Sequence, residues 1–152
     1  PTEFQDSGAI RYWENHLKKD AHPPVLQMVV KGYFGPVEPV EIPYFYTDNW
    51  VDDKALSIVD LYDLVFNVRA IYGSLIVKGP IACHCASGVG RTGTFIAAYV
   101  IADLISSHQA KDLSIEELVL RLSIQRPNLV GTKDQYLSLY RFTEYCLERH
   151  SS

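Results

Sequence analysis

Between Ser57 and Tyr72 the apolar residues Ile58, Leu61, Leu64, Val65, Val68 and Ile71 recur at three- and four-residue steps, with polar residues between them. That spacing places one apolar stripe along a helix and predicts an amphipathic helix, with Ser57 as N-cap and Gly73 as its stop. Thr94 to Ser106 is apolar on nearly every side, which predicts a buried helix. Ser114-Ile115-Glu116-Glu117 reads as a capping box opening a helix to Gln125, and Asp134 to Arg149 forms the last one. Upstream, Ile10 to Lys19 is a short helix candidate. Val25 to Lys31 and Val37 to Tyr46 are strand candidates separated by Gly32, Gly35 and Pro36. Leu75-Ile76-Val77 and Pro80 to His84 read as a buried strand broken by Lys78-Gly79.

The chemistry concentrates where that strand meets the buried helix, at His84-Cys85-Ala86-Ser87-Gly88-Val89-Gly90-Arg91-Thr92-Gly93. Small residues and two glycines between the cysteine and the arginine let successive backbone N–H groups converge, and the helix N-terminus adds positive charge at the same point. An anion belongs there, bound by Ala86, Ser87, Gly88, Val89, Gly90 and Arg91. The same field favours the thiolate of Cys85 and makes it a nucleophile. Arg91 keeps its charge and offers a planar fork that matches two phosphate oxygens, which lysine does not. The Thr92 hydroxyl can donate to the sulfur when it departs as a thiolate. His84 is assigned to ordering the loop rather than to proton transfer.

This segment resembles the signature loop of the cysteine-based protein tyrosine phosphatases, and Gly88-Val89-Gly90-Arg91-Thr92-Gly93-Thr94-Phe95 is most similar to the tyrosine-specific branch. The resemblance implies an α/β fold, a central twisted mixed sheet flanked by helices, and hydrolysis of phosphotyrosine through a cysteinyl-phosphate intermediate. Such chemistry needs a general acid on a mobile loop. Tyr44 to Asp53 resembles the family's acid loop, with Trp50 and Asp52 matching and Val51 standing where the family has proline. Asp52 is the expected acid and Trp50 an expected substrate-binding residue. Asp53 is the alternative acid, presented if the loop shifts by one residue. Leu129 to Tyr136 resembles the glutamine loop that orients the attacking water, with Gly131 in place of the first glutamine. Gln135 then has two readings: it positions water, or it faces solvent from its helix. Ser123 to Pro127 resembles the segment before that loop, where Arg126-Pro127 ends a helix.

At 152 residues, with 47% hydrophobic and 21% charged composition, residues 1–152 fit a single phosphatase catalytic domain with a real core. Arg11-Tyr12-Trp13 resembles a segment that follows the family's phosphotyrosine-recognition loop, so the chain also reads as the C-terminal part of a longer domain, with an N-terminal portion elsewhere. The net charge of −4 argues against nucleic acid or an anionic membrane as the main partner. No apolar stretch is long enough to span a bilayer, and no signal peptide is visible. The three cysteines, Cys83, Cys85 and Cys146, make no disulfide framework and imply a reducing, cytoplasmic compartment. Neither a metal nor a cofactor is expected, because Arg91 and the loop amides supply the positive field. Family members specialised for phosphoinositides carry lysines in the signature loop. Ala86, Ser87 and Val89 are uncharged, which favours a phosphotyrosine-containing protein substrate. The alternatives are a dual-specificity or inositol-phosphate phosphatase, and a pseudophosphatase that binds phosphorylated partners without efficient turnover. The last is motivated by Val51 and Gly131.

Overall fold

A computed structural model describes residues 13–18, 25–32, 35–36, 40–76 and 78–150, which divide into two compact units, residues 1–46 and 47–152. The first holds a four-stranded antiparallel sheet of β1 (Trp13–Lys18), β2 (Val25–Gly32), β3 (Gly35–Pro36) and β4 (Val40–Pro43). β2 is the hub: Trp13 to Lys18 pair with Val30 to Val25, Val40 to Pro43 pair with Met28 to Val25, and β3 pairs at Lys31 and Gly32.

Two expectations change here. The helix expected over Ile10 to Lys19 is β1 where it is described. Trp13 and Leu17 lie four apart, a spacing that suits a helical face and an alternating strand equally. Six residues cannot pay for helix nucleation alone, whereas the ladder to β2 supplies every second residue with paired backbone groups. The strand expected over Val37 to Tyr46 is confined to Val40–Pro43, with residues 37–39 outside the described residues. Pro43 has no N–H to carry the ladder on, and beyond it Tyr44 and Tyr46 stack ring on ring at 6.5 Å.

The second unit is helical: α1 (Ile58–Ser74), α2 (Gly90–Ser106), a 3-10 turn (Ala110–Asp112), α3 (Ile115–Gln125) and α4 (Lys133–His150). Its core joins Leu61, Val65 and Val68 of α1 to Ala97, Ala98, Ile101 and Ala102 of α2 and to Leu139, Phe142 and Cys146 of α4. Fully buried residues such as Leu61, Ile101 and Leu139 each contribute about 1.5–3 kcal/mol by leaving water. The caps are as the sequence predicts. The Ser57 hydroxyl accepts from the Asp60 N–H at 3.1 Å, and the Ser114 hydroxyl from the Glu117 N–H at 3.2 Å. Gly73 does not stop α1, which runs one residue further until Leu75 turns extended and donates its N–H to the Tyr72 carbonyl. The side chain of Arg69 ties α1 to the end of α2 through the Ala102 carbonyl, the Ser106 hydroxyl and the Asp103 carboxylate.

The strand expected over Leu75 to His84 is not formed among the described residues, and the sheet they contain is antiparallel, not mixed. Among the described residues of this segment the apolar side chains are open, with Ile76 fully exposed and Ile81 41% exposed.

α2 begins under close constraint. A Cβ on Gly93 would lie 2.4 Å from the Val130 nitrogen and 2.9 Å from the Leu129 carbonyl carbon, so the loop before α4 rests directly on the first turn of α2. Val130 holds that position at φ 64°, a left-handed backbone that a β-branched residue adopts only under constraint. Gly93→Ala should therefore force backbone apart and destabilise the fold by roughly 2 kcal/mol, lowering the melting temperature by several degrees. An unchanged melting curve would show that the 129–130 backbone yields freely.

Candidate active site

The turn from Cys85 to Gly90 is shaped by Gly88, whose φ of 69° suits glycine and aims its N–H at the Cys85 sulfur, 3.2 Å away. Val89 caps α2 without a side-chain hydrogen bond, and the backbone N–H groups of Val89 and Thr92 bear on the Cys85 sulfur as well. The thiol of Cys85 responds to two opposing influences. Burial is the largest single one and opposes ionisation. Hydrogen bonds from the Thr92 side chain and from the Thr92, Val89 and Gly88 backbones together outweigh it and bring the thiol down to about 6. The Thr92 hydroxyl is buried and closes no hydrogen bond of ordinary geometry among the described residues, although it favours the ionised form of both Cys85 and Cys83. The Cys83 thiol is pushed up by burial and stays protonated.

Arg91 joins this loop to the segment that carries the expected acid. Its Nη1 donates to the Trp50 carbonyl at 2.9 Å, and its Nη2 meets the Asp52 Oδ1 at 3.2 Å. Its Nε is buried and has no hydrogen-bond partner among the described residues, a charged donor left over. Asp52 and Asp53 are thereby distinguished. Asp52 faces Arg91, whereas Asp53 occupies the left-handed corner of the turn at φ 58°, is exposed, and uses its N–H to donate to the Asp52 carboxylate. Trp50, expected to bind substrate, is buried at 6% exposure, and its Nε1 donates to the Lys54 carbonyl at 2.9 Å. What it turns toward the site is its backbone carbonyl.

Gln135 is fully buried, which removes the solvent-facing reading. Its Oε1 accepts from the Gly131 N–H at 3.1 Å, its Nε2 donates to the Lys54 carbonyl at 3.3 Å, and a Cβ on Gly90 would come within 2.9 Å of its Oε1. The Thr132 hydroxyl accepts the Gln135 N–H at 3.2 Å and so starts α4. Gly131 lies beside Gly90 without a side chain to offer.

Of the remaining expected residues, Ala86 and Ser87 are exposed and Gly88, Val89 and Gly90 half-buried, as an open cradle requires. His84 is exposed and makes no hydrogen bond among the described residues. The contact that braces the loop comes instead from Arg126, whose Nη2 donates to the Ser87 carbonyl at 3.3 Å and lies 3.1 Å from where a Cβ on Gly88 would be. Sequence reasoning treated Arg126 only as part of a helix stop. Its resemblance to the segment before the glutamine loop was the one available signal, and spacing could not show that it reaches back 39 residues. Lys54 was missed altogether, because the group that matters is a backbone carbonyl, which every residue has. Among the described residues no cluster of three or more His, Cys, Asp or Glu could hold a metal ion, and no helix is long and apolar enough to cross a membrane.

Residues 13–145 match the family model described as protein-tyrosine phosphatase. The chain is 36% identical to Tyrosine-protein phosphatase 1 of Saccharomyces cerevisiae over 95% of its own length and 47% of the yeast protein. It is 40% identical to Tyrosine-protein phosphatase non-receptor type 13 of Homo sapiens over 66% of its length and 4% of the human protein. With Receptor-type tyrosine-protein phosphatase epsilon of Rattus norvegicus it shares 47% identity over 45% of its length and 10% of that protein. The chain thus spans less than half the length of each of these relatives.

Proposed function

Because this chain belongs to the protein-tyrosine phosphatase family, we propose that it hydrolyses phosphotyrosine in protein substrates through a cysteinyl-phosphate intermediate. The Cys85 thiolate attacks phosphorus as the bond to the tyrosine oxygen breaks, and Asp52 protonates the departing phenolate. Water then attacks the phosphocysteine, and the sulfur leaves as a thiolate supported by the Thr92 hydroxyl and the loop amides. Arg91 and those amides hold the transferring oxygens. The observation that carries this reading is the reach of one side chain: Arg91, six residues after a thiol lowered to about 6, bonds to the segment bearing Asp52. A thiol lowered to about 6 favours the thiolate, the form that attacks phosphorus. The family match over residues 13–145 supports a single catalytic domain within the family's α/β fold, and three free cysteines suit a reducing, cytoplasmic setting.

The first test is phosphate release from a phosphotyrosine peptide, run beside a phosphothreonine peptide and an inositol phosphate. Tyrosine-selective release supports the proposal, and equal release from all three points to a broader phosphatase. Silence with retained peptide binding points to the second reading, a binding module with slow turnover. One observation favours that reading: Gly131 has no side chain and the Gln135 amide is engaged at both ends, so neither presents a free group to the attacking water.

The acid assignment has its own test. Asp52→Ala should lower kcat/KM for the phosphotyrosine peptide by roughly 10²–10⁴-fold, the usual contribution of a positioned proton donor, while Asp53→Ala changes it only a few-fold. Equal losses in the two variants would remove Asp52 from the mechanism.

A further inference from the structure

The turn that carries Asp52 is pinned at two places. At Trp50 its carbonyl accepts from Arg91, and at Lys54 its carbonyl accepts from two donors, the Trp50 Nε1 at 2.9 Å and the Gln135 Nε2 at 3.3 Å. Within the turn the Lys54 N–H reaches the Val51 carbonyl at 3.3 Å. Asp52 itself contributes little to holding this arrangement. Its side chain is 60% exposed, and an ion pair so open to water is weak. Val51 is exposed and leaves its own backbone angles free. The buried anchor is on the other side, at Gln135.

The amide orientation of Gln135 follows from its partners. The Gly131 N–H can only be met by an acceptor and the Lys54 carbonyl only by a donor, so Oε1 faces the first and Nε2 the second. The side chain is fully buried, and the Gly90 backbone leaves no room beside it.

We infer that Gln135 is the latch of the acid turn, a positioning residue that holds residues 50–54 closed over the cradle through the Lys54 carbonyl. It acts on proton delivery by Asp52 and not on the water that attacks the intermediate. The inference rests on the phosphatase reading for its chemical consequence and on the contact geometry alone for its structural one. A loosened latch leaves Cys85, Arg91 and the loop amides in place, so attack on phosphorus survives when the leaving oxygen needs no proton. It fails when the leaving oxygen is a strong base.

The test uses Gln135→Leu, which fills most of the same space and loses both bonds, and Gln135→Met, which keeps the length of the side chain and also loses both. Both are made in a Trp13→Phe background, where Trp50 is left as the reporter of the two tryptophans in the chain. Far-ultraviolet circular dichroism identifies whichever variant folds. Iodide quenching of Trp50 should rise at least twofold in the variants. Their kcat/KM should fall tenfold or more for phenyl phosphate and less than threefold for dinitrophenyl phosphate, whose leaving group departs unaided. Unchanged quenching overturns the latch. So does a loss confined to kcat with kcat/KM unchanged, because that pattern belongs to breakdown of the intermediate and returns Gln135 to the role of water ligand. If the parent protein releases no phosphate from any substrate while Trp50 still becomes accessible in the variants, the latch stands and the phosphatase reading falls.

Discussion

Cys85→Ser stops phosphate release, with kcat expected to fall by roughly 10⁵-fold or more, as when the nucleophile is removed from other covalent enzymes. The substitution exchanges sulfur for oxygen and little else. The Gly88 N–H, 3.2 Å from the sulfur, and the Thr92 hydroxyl remain in place, but they bring a thiol down to about 6 and cannot bring an aliphatic alcohol into the same range. Binding is a separate matter, because it depends on the amides of the turn, on the uncapped start of α2 and on Arg91. Calorimetry with a phosphotyrosine peptide should therefore give an affinity within a few-fold of the parent protein. Release above about 1% of the parent rate would mean that another group attacks phosphorus. The parent protein's pH profile carries the same signature. For kcat/KM the rising limb should have its midpoint near 6, where Cys85 ionises, rather than near the ordinary thiol value of 9.0. The sign for stability follows from the same shift. The folded protein favours the ionised thiol, so this contribution is fully present above the ordinary value of 9.0 and is lost as pH falls through about 6.

Arg91→Lys should cost about 3 kcal/mol of transition-state stabilisation, on the order of 100-fold in kcat/KM, by the measure of losing one preorganised donor at a developing charge. The geometry explains why a conserved charge is not enough. Arg91 spreads its guanidinium over the Trp50 carbonyl at 2.9 Å and the Asp52 carboxylate at 3.2 Å, and keeps a buried, unpartnered Nε in reserve. A lysine ammonium is one point of charge on a flexible stem. It can meet one of these groups or the phosphate, but it cannot offer two parallel N–H donors while still reaching the acid turn. Loss should therefore appear both in kcat/KM and in the affinity for vanadate, which takes up the trigonal-bipyramidal geometry of the transition state. A fall of less than tenfold in both would show that the loop amides alone hold the phosphoryl oxygens.

The two substitutions divide the site along the line that separates its local from its long-range parts. Cys85, the glycines of the turn and the start of α2 lie within a single stretch of chain, so the bond from the Gly88 N–H to the Cys85 sulfur closes within four residues. The choice between Asp52 and Asp53 was legible only as a resemblance, and the reach of Arg91 across 41 residues separates them in space. Arg126, read as a helix stop, braces the loop 39 residues upstream. Gln135 could not be assigned from its own neighbourhood, because a glutamine on a helix looks the same whether it faces water or a carbonyl 81 residues away.

By itself, then, the sequence determined what repeats or caps locally: the apolar stripe of α1 behind Ser57, the all-round apolar α2, the Ser114 box of α3, and the cysteine-arginine turn with its family. Helical period and capping are satisfied within a few residues, so they are written in the order of the side chains. The tertiary structure alone decided that residues 13–18 pair as a strand, that Ile76 and Ile81 are exposed, and that a buried glutamine bonds to the Lys54 carbonyl. Strand pairing and buried amide bonds need a partner from elsewhere in the chain, and the choice of partner is made by the free energy of the whole packed arrangement rather than by any one segment.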